Sequence, residues 1–271
     1  MNTALEPLTP LLLGLAAGLP ISILGVRRGY IDTEAAVLAL AFSCAYFLLS
    51  PGVLLAAIAF FLSSSLLTKH GYSYKQQIGA AEPPGGRRWT QVLGAGGIAA
   101  LFSLLPSLGL LDTGRATLAA LAALAASNAD TWAAELGALY GGQPRLITRP
   151  WEKVPPGLSG GVTLAGELGS LAGSTAIALT ALAASTLGLL QLPPGSATSI
   201  ALAGYIGELV DSLVGATLQA KYLCPACNKL TDKEVHSCGA RTLHIGGIKR
   251  FKNEATNIVS TLAASLAALA L

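Results

Sequence analysis

Charge is what this chain has least of. Only 11% of its 271 residues are Asp, Glu, Lys or Arg, against about a quarter in soluble globular domains, so an ordinary soluble fold is excluded. Four cysteines are too few for a disulfide framework, and three of them fall in one polar segment. No basic stretch precedes the first apolar run, so residues 1–26 read as a first membrane span and not as a cleavable signal. A Walker A motif is absent, which removes the usual P-loop cradle for phosphate. What the chain has instead is apolar: 52% hydrophobic residues, a mean hydropathy of +0.60 and 31 glycines. Small residues of this kind let helix backbones approach closely in lipid. The composition therefore predicts an all-α, polytopic transmembrane bundle forming one integral membrane domain over residues 1–271.

A bilayer core takes about 20 apolar residues per helix. That length divides the chain into eight expected spans at 6–26, 34–50, 52–68, 91–111, 115–140, 161–191, 197–220 and 254–271. The second and third meet at Ser50-Pro51-Gly52, a turn signal, and read as a helical hairpin. If the N-terminus is outside, the inward segments 27–33, 69–90, 141–160 and 221–253 hold 16 of the 17 Lys and Arg residues, leaving only Arg115 outside. This is the asymmetry of the positive-inside rule. It predicts a cell-membrane protein with both termini extracytoplasmic and its polar loops in the cytoplasm.

Acids inside such spans are costly, by a few kcal/mol at the least, and normally face a polar cavity. Asp130, in the stretch Ser127-Asn128-Ala129-Asp130-Thr131, lies ten residues before Tyr140, and Asp211 ten before Lys221. At 1.5 Å per residue each sits roughly 15 Å inside the cytoplasmic boundary. Two aspartates at one depth on different helices suit a shared divalent cation. Glu135 and Glu208 are further candidates on the same two spans, and Glu167 is another on the span between them. The cytoplasmic loops add Lys75, Arg87, Arg88, Arg149 and Lys153, with Gly160-Gly161 ahead of a span. Arginines and glycine-exposed backbone amides beside a helix N-terminus recognise phosphate. Acidic helices beneath cationic loops thus fit a magnesium-bound polyphosphate. Asn253 and Asn257 share a face at the inner mouth of the last span, where they can hydrogen-bond substrate or metal-bound water, or Asn253 can simply cap the helix.

The cytoplasmic loop 221–253 carries Cys224, Cys227, His236 and Cys238 in the pattern C-x2-C-x8-H-x-C. These are four ligands of the type and number for tetrahedral zinc, in a compartment where disulfides are disfavoured. A small knuckle holding a structural zinc ion is expected. A catalytic zinc is not, since protein would fill all four positions. Cys44, inside a span, reads as a small apolar residue.

Five ordered stretches together resemble a known family: Lys75…Gly79…Ala81-Glu82…Gly85-Gly86-Arg87-Arg88; Ser127-Asn128-Ala129-Asp130-Thr131…Glu135-Leu136-Gly137; Val154-Pro155-Pro156-Gly157…Gly160-Gly161-Val162; Asp211-Ser212-Leu213-Val214-Gly215-Ala216; and Asn253…Asn257. They are similar to the membrane family containing transmembrane protein 19 and plant phytyl-phosphate kinase, over about residues 30–271. The resemblance implies a kinase that uses CTP or another nucleoside triphosphate to convert an isoprenoid monophosphate, such as geranylgeranyl or phytyl phosphate, to the diphosphate. It further implies magnesium on Asp130 and Asp211, Glu135 at or behind the metal, and Arg87, Arg88 and Lys153 on phosphates. Asn128 and Asn257 would orient these groups, with Lys75, Thr131, Arg149, Glu167 and Asn253 also at the substrate. The expected partners are the nucleotide, the isoprenoid phosphate and the bilayer, with no nucleic acid. A CTP-using prenol kinase, a lipid cytidylyltransferase and a cation-coupled transporter are the alternatives.

Overall fold

A computed structural model describes residues 8–82 and 85–271. Residues 6 and 7 of the first expected span, and Pro83-Pro84 of the inward segment 69–90, lie outside the described residues. Eight long helices fall on the eight expected spans: α1 (Leu8–Arg27), α2 (Thr33–Leu49), α3 (Pro51–Lys69), α5 (Trp89–Leu104), α6 (Thr113–Tyr140), α7 (Leu164–Thr186), α8 (Ser196–Thr217) and α9 (Asn253–Ala270). A short helix α4 (Tyr72–Gln77) follows α3. By length and apolar character five are sufficient to cross a membrane: α1, α3, α5 with the 3₁₀ turn that follows it, α7 and α8. The chain is a polytopic helical membrane protein.

The helix ends follow local chemistry. Asp32, Asp112 and Thr163 each accept a backbone N–H three residues on, at 2.8, 2.9 and 3.0 Å, and so start α2, α6 and α7. Ser50 accepts Gly52 N–H ahead of Pro51 at the first position of α3. Four boundaries differ from expectation by three residues or more; α7 ends at Thr186 and α8 at Thr217, short of the expected 191 and 220, and the other two have a clear local cause. The span expected at 91–111 stops being α-helical at Leu104, because Pro106 has no N–H to continue it and a 3₁₀ turn at Pro106–Leu108 takes over. The span expected at 161–191 starts only at Leu164, because Gly161–Val162 is drawn into a strand and Thr163 caps the helix.

Helix α6 is the axis of the bundle, in contact with α3, α5, α7, α8 and α9. Its residues from Ala119 to Ala129 are all buried, and seven of those eleven are alanine. A helix surrounded on every side needs no polar face. Small side chains set the spacing: a Cβ on Gly204 of α8 would meet Ala125 Cβ at 2.6 Å, and one on Gly207 would meet Ala126 Cβ at 2.6 Å. Asn128, wholly buried on α6, ties three helices together. Its carbonyl accepts the hydroxyls of Ser63 and Ser64 on α3 at 3.1 and 3.0 Å, and its amide donates to Gly173 O on α7 at 2.8 Å. Outward faces are leucine-rich, as on α1, where Leu12, Leu15 and Leu19 are exposed.

The basic segments converge at one end. Arg87 N–H donates to Tyr30 O at 2.9 Å and Arg87 O accepts Asp32 N–H at 3.0 Å. Tyr140 Oη and His70 Nε2 are 3.4 Å apart, and Lys221 Nζ donates to Ser159 O at 2.9 Å. Two three-stranded antiparallel sheets stand at this end, which the all-α expectation did not contain. One has the order β2-β1-β3, from Arg149–Lys153, Arg145–Leu146 and Gly161–Val162; the other β5-β4-β6, from Lys229–Thr231, Lys221–Cys224 and Leu243–Gly246. The strands are two to five residues long, too short to leave a periodic signal in the sequence.

Gly204 provides a test of the α6–α8 contact. Gly204→Val should lower the melting temperature in detergent by several degrees or more, because the added atoms meet packed alanine with no room to shift. Leu12→Val, on the exposed face of α1, should leave it unchanged. Equal melting temperatures for the two variants would contradict this packing.

Candidate functional site

Between the helix ends and the two sheets lies a cavity of about 610 Å³. Its floor comes from α6, α7 and α8, its sides from residues 79–82, Arg87 and the start of α9, and its rim from residues 156–163 and 232–234. Nine carboxylates line it against three cations, Arg87, Lys233 and Lys252. The imbalance is larger than the sequence suggested, because most of the loop cations point elsewhere.

Asp130 and Asp211 both line the cavity, from α6 and α8. Asp211 is buried, and the Asn257 amide, oriented to satisfy its neighbours, donates to Asp211 Oδ2 at 3.2 Å and to Asn253 O at 3.1 Å. Glu208, one turn before Asp211, is also buried; it accepts from Ser212 Oγ at 2.9 Å and from Ser170 Oγ at 3.2 Å. Glu167 accepts from Tyr205 Oη at 3.0 Å. Glu167, Glu208 and Asp211 are thus oriented by neutral donors, while none of Asp130, Glu167, Glu208 and Asp211 forms a salt bridge among the described residues. Several carboxylates around one semi-enclosed space repel one another unless a cation intervenes. Asn253 opens α9 without capping it, since Lys252 holds the cap position and makes no side-chain cap bond.

Of the other expected residues, Arg87, Thr131, Glu135, Gly160, Gly161 and Asn253 also line the cavity. Gly160 sits at φ +80°, and a Cβ there would lie 2.6 Å from Ala216 Cα, so glycine is what lets this loop rest against α8. Five expected residues do not reach the cavity. Lys75 is buried under α3, where Nζ donates to Leu67 O and Thr68 O at 2.9 Å each and pairs with Glu135 Oε2. It neutralises the C-terminal carbonyls of α3 and a carboxylate, and has no donor left for phosphate. Glu135 is correspondingly an ion-pair partner and a poor metal ligand. Asn128 is enclosed in the bundle, as described above. Arg88 starts α5, its backbone N–H held by Gln91 Oε1 at 2.9 Å, with its side chain outward. Arg149 pairs with Glu152 at 2.8 Å on exposed strand β2, where Lys153 is also exposed.

The sequence reading missed Glu82 and Glu254 as site residues. Glu82 takes the Gln91 amide at 3.2 Å, and Glu254 takes Thr90 Oγ1 at 3.1 Å. Glu254 was findable, because it lies three residues before Asn257 on one helical face.

The cysteine-containing loop forms the β5-β4-β6 sheet beside the rim. Cys224, Cys227, His236 and Cys238 bring one ligand atom each within 4.8 Å of one another. Cys224 Sγ and Cys238 Sγ are 3.6 Å apart, and His236 Nδ1 is 3.1 Å from Cys238 Sγ. A tetrahedral ion with metal–sulfur bonds near 2.3 Å separates sulfurs by about 3.8 Å. The group can hold a metal ion. His236 draws the Cys238 thiol down to about 6, toward the thiolate a metal needs, while the hydrogen bond between Cys227 and Cys238 pushes the Cys227 thiol up to about 11.

The family described as "Integral membrane protein DUF92" matches residues 16–265. Protein PGR of Arabidopsis thaliana is 33% identical over 229 residues, 77% of this chain and 77% of that protein. No solved structure matches.

The Lys75–Glu135 pair gives a prediction that separates scaffold from ligand. Removing one partner of a buried pair strands the other charge, at about 3–5 kcal/mol. Lys75→Ala should therefore lower the melting temperature markedly, and Lys75→Met combined with Glu135→Leu should recover much of the loss. A Lys75→Ala protein as stable as wild type but weak in nucleotide binding would return Lys75 to the ligands.

Proposed function

Since the chain belongs to the DUF92 family of integral membrane proteins, and its motifs resemble those of the phytyl-phosphate kinase family, we propose that it is a kinase that transfers a phosphoryl group from CTP or another nucleoside triphosphate to an isoprenoid monophosphate. The observation that carries this reading is the cavity at the basic end of the bundle. Acids from α6, α7 and α8 meet there without protein cations to match them, below a glycine loop and beside Arg87. Such a surplus of carboxylate suits a nucleotide arriving with Mg2+, as a polyphosphate alone would be repelled. The positive-inside distribution supports placing this end in the cytoplasm and both termini outside.

Asp130 and Asp211 are the residues that would hold magnesium, with Glu208 behind them; the ion would supply charge neutralisation on the phosphates. Asn257 fixes the orientation of Asp211 through its amide. Arg87 is one of the three cations lining the cavity among the described residues, and its guanidinium, 3.4 Å from Thr68 Oγ1, is available to a phosphoryl oxygen. Backbone amides near Gly160 and Gly161 offer further donors. The reaction asks little more of the protein. An oxygen of the isoprenoid monophosphate attacks the terminal phosphorus of the nucleotide, the new P–O bond forms as the bridging P–O bond to the penultimate phosphorus breaks, and the nucleoside diphosphate leaves with that electron pair. The attacking oxygen is already ionised, so no strong general base is needed. The apolar tail has a path in lipid beside Glu167, where Leu164, Leu168 and Leu171 form an exposed stripe on α7 starting at the cavity rim.

The Cys224, Cys227, His236 and Cys238 group reads as a structural zinc site, with no open position for chemistry.

Asp130→Asn and Asp211→Asn should each abolish nucleotide-dependent turnover while the purified proteins keep the wild-type elution volume and melting temperature in detergent. Turnover at the wild-type rate in either variant would remove that residue from the site.

A further inference from the structure

The loop that rims the cavity is not held by the membrane bundle alone. Ser159 sits at its centre, and both of its backbone groups are engaged by the cysteine-containing sheet. Ser159 N–H donates to Asp232 Oδ2 at 2.7 Å, and Ser159 O accepts from Lys221 Nζ at 2.9 Å. Lys221 and Asp232 are themselves paired at 2.6 Å, with their side chains only 15% and 13% exposed. The contact is continued by packing: Leu158 shares a small buried cluster with Leu146 and Val154, and Leu230 of β5 packs against it. Residues 156–161 line the cavity on one side of this contact; Cys224 ends the strand that begins with Lys221, and Asp232 directly follows β5.

We propose that the Cys3His group is a metal centre whose task is to clamp this glycine loop over the cavity, with Lys221 and Asp232 as the positioning residues that transmit its hold to Ser159. The proposal rests on the zinc reading of the four ligands and stands apart from the reaction proposed above. Its physical basis is size. Strands β4 and β5 are four and three residues long, and a sheet of this extent buries too little apolar surface to be stable by itself. Cross-linking Cys224 and Cys227, at one end of the β4–β5 hairpin, to His236 and Cys238, beyond Asp232, closes the sheet around the carboxylate. With the ligands released, the sheet frays, Asp232 loses its fixed place, and the Ser159 backbone returns to solvent.

The experiment is hydrogen exchange by mass spectrometry on the full-length protein in detergent, with metal content measured on the same sample. Purified protein should carry about one zinc per chain. Removing it with a chelator and reductant should raise exchange roughly tenfold or more both in residues 221–246 and in residues 156–161, with α6 and α8 unchanged. Asp232→Ala should raise exchange in residues 156–161 while retaining its zinc and the wild-type protection of α6 and α8, an effect that a purely local role in folding the sheet would not produce. Protein without bound metal overturns the metal centre. Metal removal that loosens 221–246 and leaves 156–161 protected overturns the clamp. If chelation unfolds the whole chain, the Asp232→Ala result decides: unchanged exchange at 156–161 refutes the proposal.

Discussion

The constraint on which this structure depends is the surplus of carboxylate inside a helical bundle. Asp130, Glu167, Glu208 and Asp211 project from α6, α7 and α8 into one cavity, and none has a salt-bridge partner among the described residues. In a low-dielectric setting such groups are tolerated when they are hydrogen-bonded and when a counter-ion can enter. Ser170 and Ser212 provide hydrogen bonds to Glu208, Tyr205 to Glu167 and Asn257 to Asp211. The counter-ion is the part left to the ligand. The alanine-rich wall of α6 and the glycines of α8 follow from the same constraint, since only small side chains bring three acid-bearing helices close enough to share a cavity.

Protein cations divide between two uses. Lys75, buried, and Lys221, largely buried, are paired with Glu135 and Asp232, where they hold the end of α3 and the glycine loop in place. Arg87, Lys233 and Lys252 face the cavity. Burying a lysine–carboxylate pair is an expensive way to stabilise a fold, but it fixes geometry firmly once made. Both buried pairs stand at the edges of the cavity, which is where fixed geometry matters for a site that works by positioning.

Much of this was legible in the sequence. The eight helices were readable from apolar run length, and the clustering of basic residues anticipated which loops meet at one end. The carboxylates of α6 and α8 were readable because an acid ten residues inside an apolar helix is costly enough to need a reason. The loop cations were not readable in the same way. An arginine or lysine in a polar loop has no energetic signature separating a phosphate ligand from a surface charge, so Arg88, Arg149 and Lys153 could not be told from Arg87, which alone is pinned beside the α1–α2 turn. Lys75 misled for a different reason: its partner Glu135 is 60 residues away and on another helix, and pairing at that distance is a property of the fold. The two small sheets were hidden by strands too short to alternate.

The central claim is tested most directly by incubating the purified protein with Mg2+, CTP or ATP, and geranylgeranyl or phytyl monophosphate, and identifying the products by mass spectrometry. The account predicts the isoprenoid diphosphate together with a nucleoside diphosphate. Release of pyrophosphate with a cytidylylated lipid, or intact nucleotide and substrate after incubation with every donor, would contradict it.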